Sequence, residues 1–431
     1  MKIALLNVKF SPNLGDGLLS ECLERELAAA LPGAEVVAID LAGRGHYRGH
    51  GPSRRGRVIA LLEALPRWAR RRAVRVALAM LVQFRLRRHV RDRLVGVDVV
   101  VVGGGNLLSD ADLNFPMKLA GALGEVARAR LPVAVHAVGV SRRWSRAGHQ
   151  LFVRAFGGVS LIATTVRDER SRQAWRDLLE PHGLPPAGLA GDPGLLAQCH
   201  FDPPRRAAPD TSPAAIAPTV VGLCVTSPLA VRYHASGPPP TVDFRTWYHA
   251  ATRALVAAGL RVVLFTNGSP EDRSFLARHG GEWCSDPSSG EPAVTIAPAF
   301  ANPAELVDFI AGCDVIIAHR MHACIIAHSF AIPAIGLKWD VKLESFFALA
   351  GREVFIADCA DLDPVSLTAL TRRALSTEID RARLDRLIAM TRADIARLAH
   401  AISMAIGRDT PPLHTAQQSS RAPSRLVNPR P

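Results

Sequence analysis

The sequence predicts an α/β protein of two doubly wound, Rossmann-like domains that face each other across a cleft. Three observations carry that expectation. The chain has 431 residues, more than one hydrophobic core usually serves, so two domains of roughly 200 residues are the default. Short β-rich apolar runs alternate with longer amphipathic stretches, the pattern of parallel strands buried on both faces by crossover helices. The alternation halts at a segment rich in proline, alanine and charge, and then begins again.

In the first domain, residues 1–200, "KIALLNV" (2–8), "VDVVVVGGG" (97–105), "PVAVHAVGV" (132–140) and "LIATTVRD" (161–168) read as buried strands, with helical patterns at 17–31 and 116–130. "FDPPRRAAPDTSPAAIAPT" (201–219) reads as a linker. The second domain, 220–378, repeats the pattern with "VVGLCVT" (220–226), "RVVLFTN" (261–267), "AVTIAP" (293–298), "CDVIIAH" (313–319) and "IPAIGLK" (332–338). Helical patterns at 243–259, 302–312 and 321–331 fill its gaps, and a closing helix is expected at 379–407. The tail 408–431 is polar and proline-rich, the composition of a disordered segment. Sheets of this kind bind ligands beyond the carboxyl ends of their strands, so the cleft between the domains is the expected site.

Composition narrows the class. The chain is 48% apolar and 21% charged, which excludes a mainly disordered protein. A formal charge of +13 asks for an anionic partner: nucleic acid, a membrane surface or a phosphorylated substrate. Much of that charge sits in a basic helical insertion at about 44–95, where residues 44–93 hold fifteen arginines against Glu63 and Asp92. Within it, "RWARRRAVRVALAMLVQFRLRRHVRDR" (67–93) sets Trp68, Leu78, Leu81, Phe84 and Leu86 among arginines at helical spacing. Such a helix can lie on an anionic membrane; the alternative is a solvated basic face. No zinc-finger or RNP signature supports nucleic acid. Seven scattered cysteines without a C-x-x-C pair predict reduced thiols in a cytoplasmic protein. No window offers the ~20 uncharged apolar residues of a spanning helix, so attachment to the inner face of a membrane would be peripheral.

Candidate site residues cluster after the strands. "SPNLGDGLLSECL" (11–23) is a glycine-containing turn opening a helix, where unpaired N–H groups can hold an oxyanion; Asn13 and Asp16 could order the turn or cap the helix, and Gly15 lets a ligand approach. In "VVVVGGGNLLSD" (99–110), Gly103, Gly104 and Gly105 with Asn106 could form an amide nest or permit tight strand–helix packing. This is neither G-x-G-x-x-G nor a Walker loop. "TVRDERS" (165–171) puts Arg167 just past a strand, and Asp192 in "GDPGLL" (191–196) reads as turn chemistry. "HRMHACIIAHS" (319–329) places His319, Arg320 and His322 at the end of one strand and the start of a helix. Arg320 offers a planar fork for phosphate or carboxylate. His328 falls on another helix face, and the histidine spacing gives no metal site. Lys338 and Lys342 in "GLKWDVKLESFF" (336–347) could add positive charge to the same cleft.

Taken in order, "NLGD", "GGGNLL", "TVRDERS", "GDPG" and "HRMHACIIAHSFAIPAIGLKWDVK" resemble the polysaccharide pyruvyl transferase family, from about residue 3 to about 350. The resemblance implies a two-domain fold similar to GT-B glycosyltransferases. It also implies transfer of a pyruvyl group from phosphoenolpyruvate to two hydroxyls of a sugar as a cyclic ketal, with no cofactor. The family's Arg-x-His motif corresponds to Arg320 and His322, and its downstream lysine to Lys342. On that reading His322 donates or relays the proton that starts the reaction, and Arg320 holds the donor. Asn13–Asp16 and Gly103–Asn106 face them from the first domain and bind the acceptor, a glycan or a polyprenyl-diphosphate-linked sugar. Arg167, His319 and Lys342 complete the expected substrate-binding set. The competing readings are a GT-B glycosyltransferase using a nucleotide-sugar and a catalytically inactive assembly protein at the membrane surface.

Overall fold

The computed structural model describes residues 1–47, 66–204, 218–234, 242–284 and 293–407. The expected linker falls partly, and the expected disordered tail wholly, outside the described residues.

Two six-stranded sheets, each parallel throughout, form the two domains. The first holds β1 (Lys2–Asn7), β2 (Glu35–Asp40), β3 (Val99–Gly103), β4 (Val133–Val138), β5 (Leu161–Val166) and β6 (Gly188–Leu189), in the spatial order β2-β1-β3-β4-β5-β6. The second holds β7 (Val220–Cys224), β8 (Arg261–Phe265), β9 (Val294–Ile296), β10 (Val315–Ala318), β11 (Ala334–Leu337) and β12 (Ile356–Ala357), in the order β12-β11-β10-β7-β8-β9. The continuous valine run of β3 forms a strand because both of its faces are covered. Val99 and Val101 enter the core beneath the helix Leu14–Ala30, and Val100 and Val102 enter a second core on the opposite face. β1 divides likewise, Ile3 and Leu5 to one side, Ala4 and Leu6 to the other. The edge strand β2 was not legible as an apolar run, because only its last two residues, Ile39 and Asp40, are buried.

Strand order reverses between β1 and β3 in the first sheet and between β7 and β10 in the second. Those are the switch points where such sheets open a crevice at their carboxyl ends. The two crevices meet. One core cluster runs through both domains, joining Leu14 and Leu18 of the first to Ile325 and Ile326 of the second. Ser329 ties them further: its hydroxyl donates to Leu195 O (2.9 Å) and accepts from Gln198 N (2.9 Å).

The closing helix spans Arg381–Ile406, starts on the side-chain cap of Asp380 and returns to the first domain. There Gly191 N donates to Asp394 (2.7 Å) and Arg392 pairs with Glu26 (3.2 Å). The described part of the basic insertion is helical from Arg67 to Arg93, with a π-helical turn at Leu81–Leu86.

Candidate active site at the domain seam

The seam is built from two helix N-termini, one from each switch point. After β1 the chain turns into the helix Leu14–Ala30, and Leu14 N donates across the seam to Asn267 O (2.8 Å). Gly268 has φ +96°, and the Pro12 carbonyl occupies the place a side chain would need. From the other side, β10 leads into the helix Met321–Ser329. His322 packs on Gly15 so closely that a methyl there would stand 2.6 Å from His322 Cβ.

The charges at this junction act on one another. The Asp16 carboxyl is pushed up by burial, against the opposing pull of His322, Ser11, Arg320 and Arg44. His322 is pushed down to about 4, first by burial and then by Arg167, Arg320 and Lys342, with Asp16 pulling the other way. Its Nε2 is closed to solvent and has no hydrogen-bond partner. The imidazole is therefore neutral at pH 7, held between a carboxyl and three cations.

Arg167 follows β5 and is ion-paired with Asp168 through Nε (3.4 Å) and with Asp192 through Nη1 (3.8 Å). Its Nε and Nη2 are buried without a hydrogen-bond partner, and so is Asn106 Oδ1. A methyl on Gly139 would lie 2.8 Å from both Arg167 Nη2 and Asn106 Oδ1, so the two groups converge over that glycine. Asn13 Oδ1, Asn267 Nδ2 and Thr226 Oγ1 are likewise buried and unpartnered. Buried polar atoms are normally satisfied, and leaving one unpaired costs about 1–3 kcal/mol. Seven of the fourteen such atoms among the described residues lie on the loops that meet at the seam, His322 Nε2 included. Lys342 heads the helix Val341–Ala350 and pairs with Asp340 (3.2 Å); burial lowers its pKa, against Asp340 and in concert with Arg167.

Four expectations need correction or refinement. Arg320 is not a free fork. It is 7% exposed, and its Nε and Nη2 donate to Asp272 (2.9 and 2.5 Å), while its plane lies 5.2 Å over Trp339. Asp272 in turn accepts from Ser227 N (2.8 Å). The fork thus fixes the loops of the second domain, and the Glu271 carboxylate lies 3.9 Å from Nη2. His319 does not reach the cleft. It is 1% exposed, with Nδ1 at 3.3 Å from Tyr248 Oη and Nε2 at 3.4 Å from Cys359 Sγ, and burial drops it to about 3. The hydrophobic β10 ends one residue before it, and its side chain falls on the inner face. The triple glycine is explained by packing more than by an amide nest. A methyl on Gly103 would lie 2.8 Å from Leu23, Gly104 and Gly105 take φ of +74° and +73°, and Gly104 N already donates to His136 O (3.1 Å). Asn13 does not cap its helix through the side chain, which leaves its amide facing the seam.

Sequence reasoning missed Asp272, Asn267 and Thr226. The latter two follow β8 and β7, and the rule that ligands meet strand carboxyl ends could have found them. Nothing local in the sequence pairs Asp272 with Arg320, 48 residues on.

Paired Rossmann-like domains with a polar seam at both switch points are the GT-B-like architecture. The S. aureus MnaA–UDP co-structure shares the fold with a TM-score of 0.53 at 10% identity, covering 95% of this chain and 98% of that one. The α,α-trehalose 6-phosphate synthase of Burkholderia multivorans shares it with a TM-score of 0.50 at 13% identity, covering 99% of each chain. No curated protein matches the chain. The family model for polysaccharide pyruvyl transferase matches residues 13–341. The chain belongs to that family and is a transferase.

Proposed function

We propose that the protein moves a pyruvyl group from phosphoenolpyruvate to two hydroxyls of a sugar, on a glycan or a polyprenyl-diphosphate-linked oligosaccharide, closing a ketal and releasing phosphate. The observation that carries this reading is Arg167, a buried guanidinium whose Nη2 has no partner and whose Nε and Nη1 meet Asp168 and Asp192 only at 3.4 and 3.8 Å, in the same electrostatic cluster as His322 and Lys342. A small dianion bearing phosphate and carboxylate would satisfy those donors and neutralise the cations. Arg167 and Lys342 hold it, and Arg320 supports the site through Asp272.

The reaction needs a proton on C3 of the enol ester, attack of one hydroxyl at C2, departure of phosphate, and closure by the second hydroxyl. Burial holds His322 neutral at pH 7. A bound dianion raises its affinity for a proton, and the Asp16 carboxyl beside it pulls the same way. A positioned acid of this kind contributes roughly 10²–10⁴-fold. Asn13, Asn106 and the turn at Gly15 supply acceptor contacts from the first domain. The acceptor class would place the protein on the cytoplasmic side of a membrane, attached peripherally; among the described residues no helix is long and apolar enough to cross one.

The test is incubation of the purified protein with phosphoenolpyruvate and lipid-linked sugars, followed by mass spectrometry for a ketal-linked pyruvyl group. Product formation that His322→Ala abolishes while phosphoenolpyruvate still protects the fold supports the assignment. Failure of phosphoenolpyruvate to shift the melting temperature, with a shift by UDP-sugars instead, overturns it in favour of a nucleotide-sugar enzyme.

A further inference from the structure

Among the described residues, the basic helix packs on the first domain through Leu78, Leu81 and the turns that follow. Its second half is fixed: Val82, Leu86 and Val90 are buried, Val82 fills the space over Gly121, and Arg87 and Arg91 grip the buried Glu125 at 2.7 and 3.1 Å. The preceding turns carry a different face. Val76 and Met80 are each 52% exposed and Phe84 is 76% exposed, spaced four apart, so they share one stripe. Ala69, Ala73 and Ala77 line the same shallow strip beside Val76 and Met80. Around it Arg72, Arg75, Arg88 and Arg91 are exposed, and across residues 67–93 ten arginines face a single acid, Asp92.

Single exposed apolar side chains are ordinary on a protein surface. A row of them embedded in guanidinium groups is the composition of a helix lying at a lipid interface. The apolar side chains sink among acyl chains while the arginines stay level with headgroup phosphates. We propose that the stripe Val76–Met80–Phe84 docks the protein on an anionic phospholipid surface. The charge of the helix selects this occupant over an apolar protein groove or a second copy of the chain, because two such helices would repel each other. The proposal is independent of the pyruvyl-transfer reading, and its test involves no turnover.

The full chain is floated with vesicles of phosphatidylglycerol in phosphatidylcholine and with vesicles of phosphatidylcholine alone. Binding is expected to the anionic vesicles, weak on the neutral ones, and reversed near 1 M salt, where the Debye length falls to ~3 Å. Arg72→Glu with Arg75→Glu should lower partitioning by on the order of a hundredfold, from the contribution of each charge at an anionic surface. Met80→Ser with Phe84→Ser should weaken binding to the anionic vesicles at low salt by roughly tenfold or more while leaving the circular dichroism and melting temperature unchanged. Equal binding of these variants, equal binding to neutral vesicles, or no binding at all overturns the proposal. So does a wild-type dimer in light scattering that Met80→Ser with Phe84→Ser dissolves without lipid.

Discussion

His322 of the second domain rests directly on Gly15 of the first, where a methyl would stand 2.6 Å from its Cβ and 2.7 Å from its Cγ. The contact joins two helix N-termini that lie more than 300 residues apart in the chain. It fixes the imidazole beside the Asp16 carboxyl and within the field of Arg167, Arg320 and Lys342.

Gly15→Ala should therefore act on geometry. The added methyl must push the imidazole aside or part the domains, and a misplacement of ~1 Å can cost about a hundredfold in rate. Turnover should fall by about that factor with a much smaller change in melting temperature. A variant with full turnover in a ketal-formation assay would show that His322 is not held by this contact.

Arg167→Lys should raise the KM for phosphoenolpyruvate by roughly ten- to a hundredfold, the worth of a charge-assisted hydrogen bond. A lysine keeps the charge but loses the second donor and the fork geometry. Steady-state kinetics and a binding isotherm check this; an unchanged KM would move the donor away from Arg167.

Asp272→Ala leaves the buried Arg320 guanidinium with only the half-exposed Glu271 carboxylate, 3.9 Å away, as a counter-charge, and breaking such a buried pair costs up to about 3–5 kcal/mol. Chemical denaturation should show that loss, and Arg320→Met in the same chain should recover part of it, because both charges are then gone. Catalytic loss from Asp272→Ala is expected to follow the displacement of Arg320 rather than any contact with substrate.

His328 gives a pH prediction away from the seam. Burial first, then the charges of Arg352 and Arg383, lower it to about 4 from an ordinary 6.5. Between those values the unfolded chain binds the proton that the folded chain refuses, so this residue's stabilising contribution is complete above pH 6.5 and is lost as pH falls towards 4. The loss is on the order of 1 kcal/mol per pH unit. His328→Gln should flatten the fall in melting temperature from pH 7 to pH 5 relative to wild type. Equal slopes would mean that His328 is already protonated in the folded protein.

The candidate site was legible in part. The order of strands and helices placed Asn13–Asp16, Asn106, Arg167, His322 and Lys342 on loops at the carboxyl ends of strands, where such folds meet ligands whatever the sheet's details. The roles within the site were less legible. Arg320 and His319 are neighbours of His322 in the chain, yet one is bound by Asp272 and the other is enclosed by Tyr248 and Cys359. A strand end alternates its side chains between opposite faces, and sequence alone does not say which face a remote partner covers.

What the sequence by itself determined is local and periodic: two runs of buried parallel strands, glycines where the backbone must take positive φ or a side chain must approach, a basic amphipathic helix, and cations at strand ends. These follow from steric and hydrophobic rules that act within a few residues. Only the tertiary structure decided that Gly15 supports His322, that Asp272 claims Arg320, and that Arg167 Nη2 and Asn106 Oδ1 meet over Gly139 without hydrogen-bond partners. Burial and partnership of a polar group depend on chain segments brought together from far away, and those are set by the packing of the two domains.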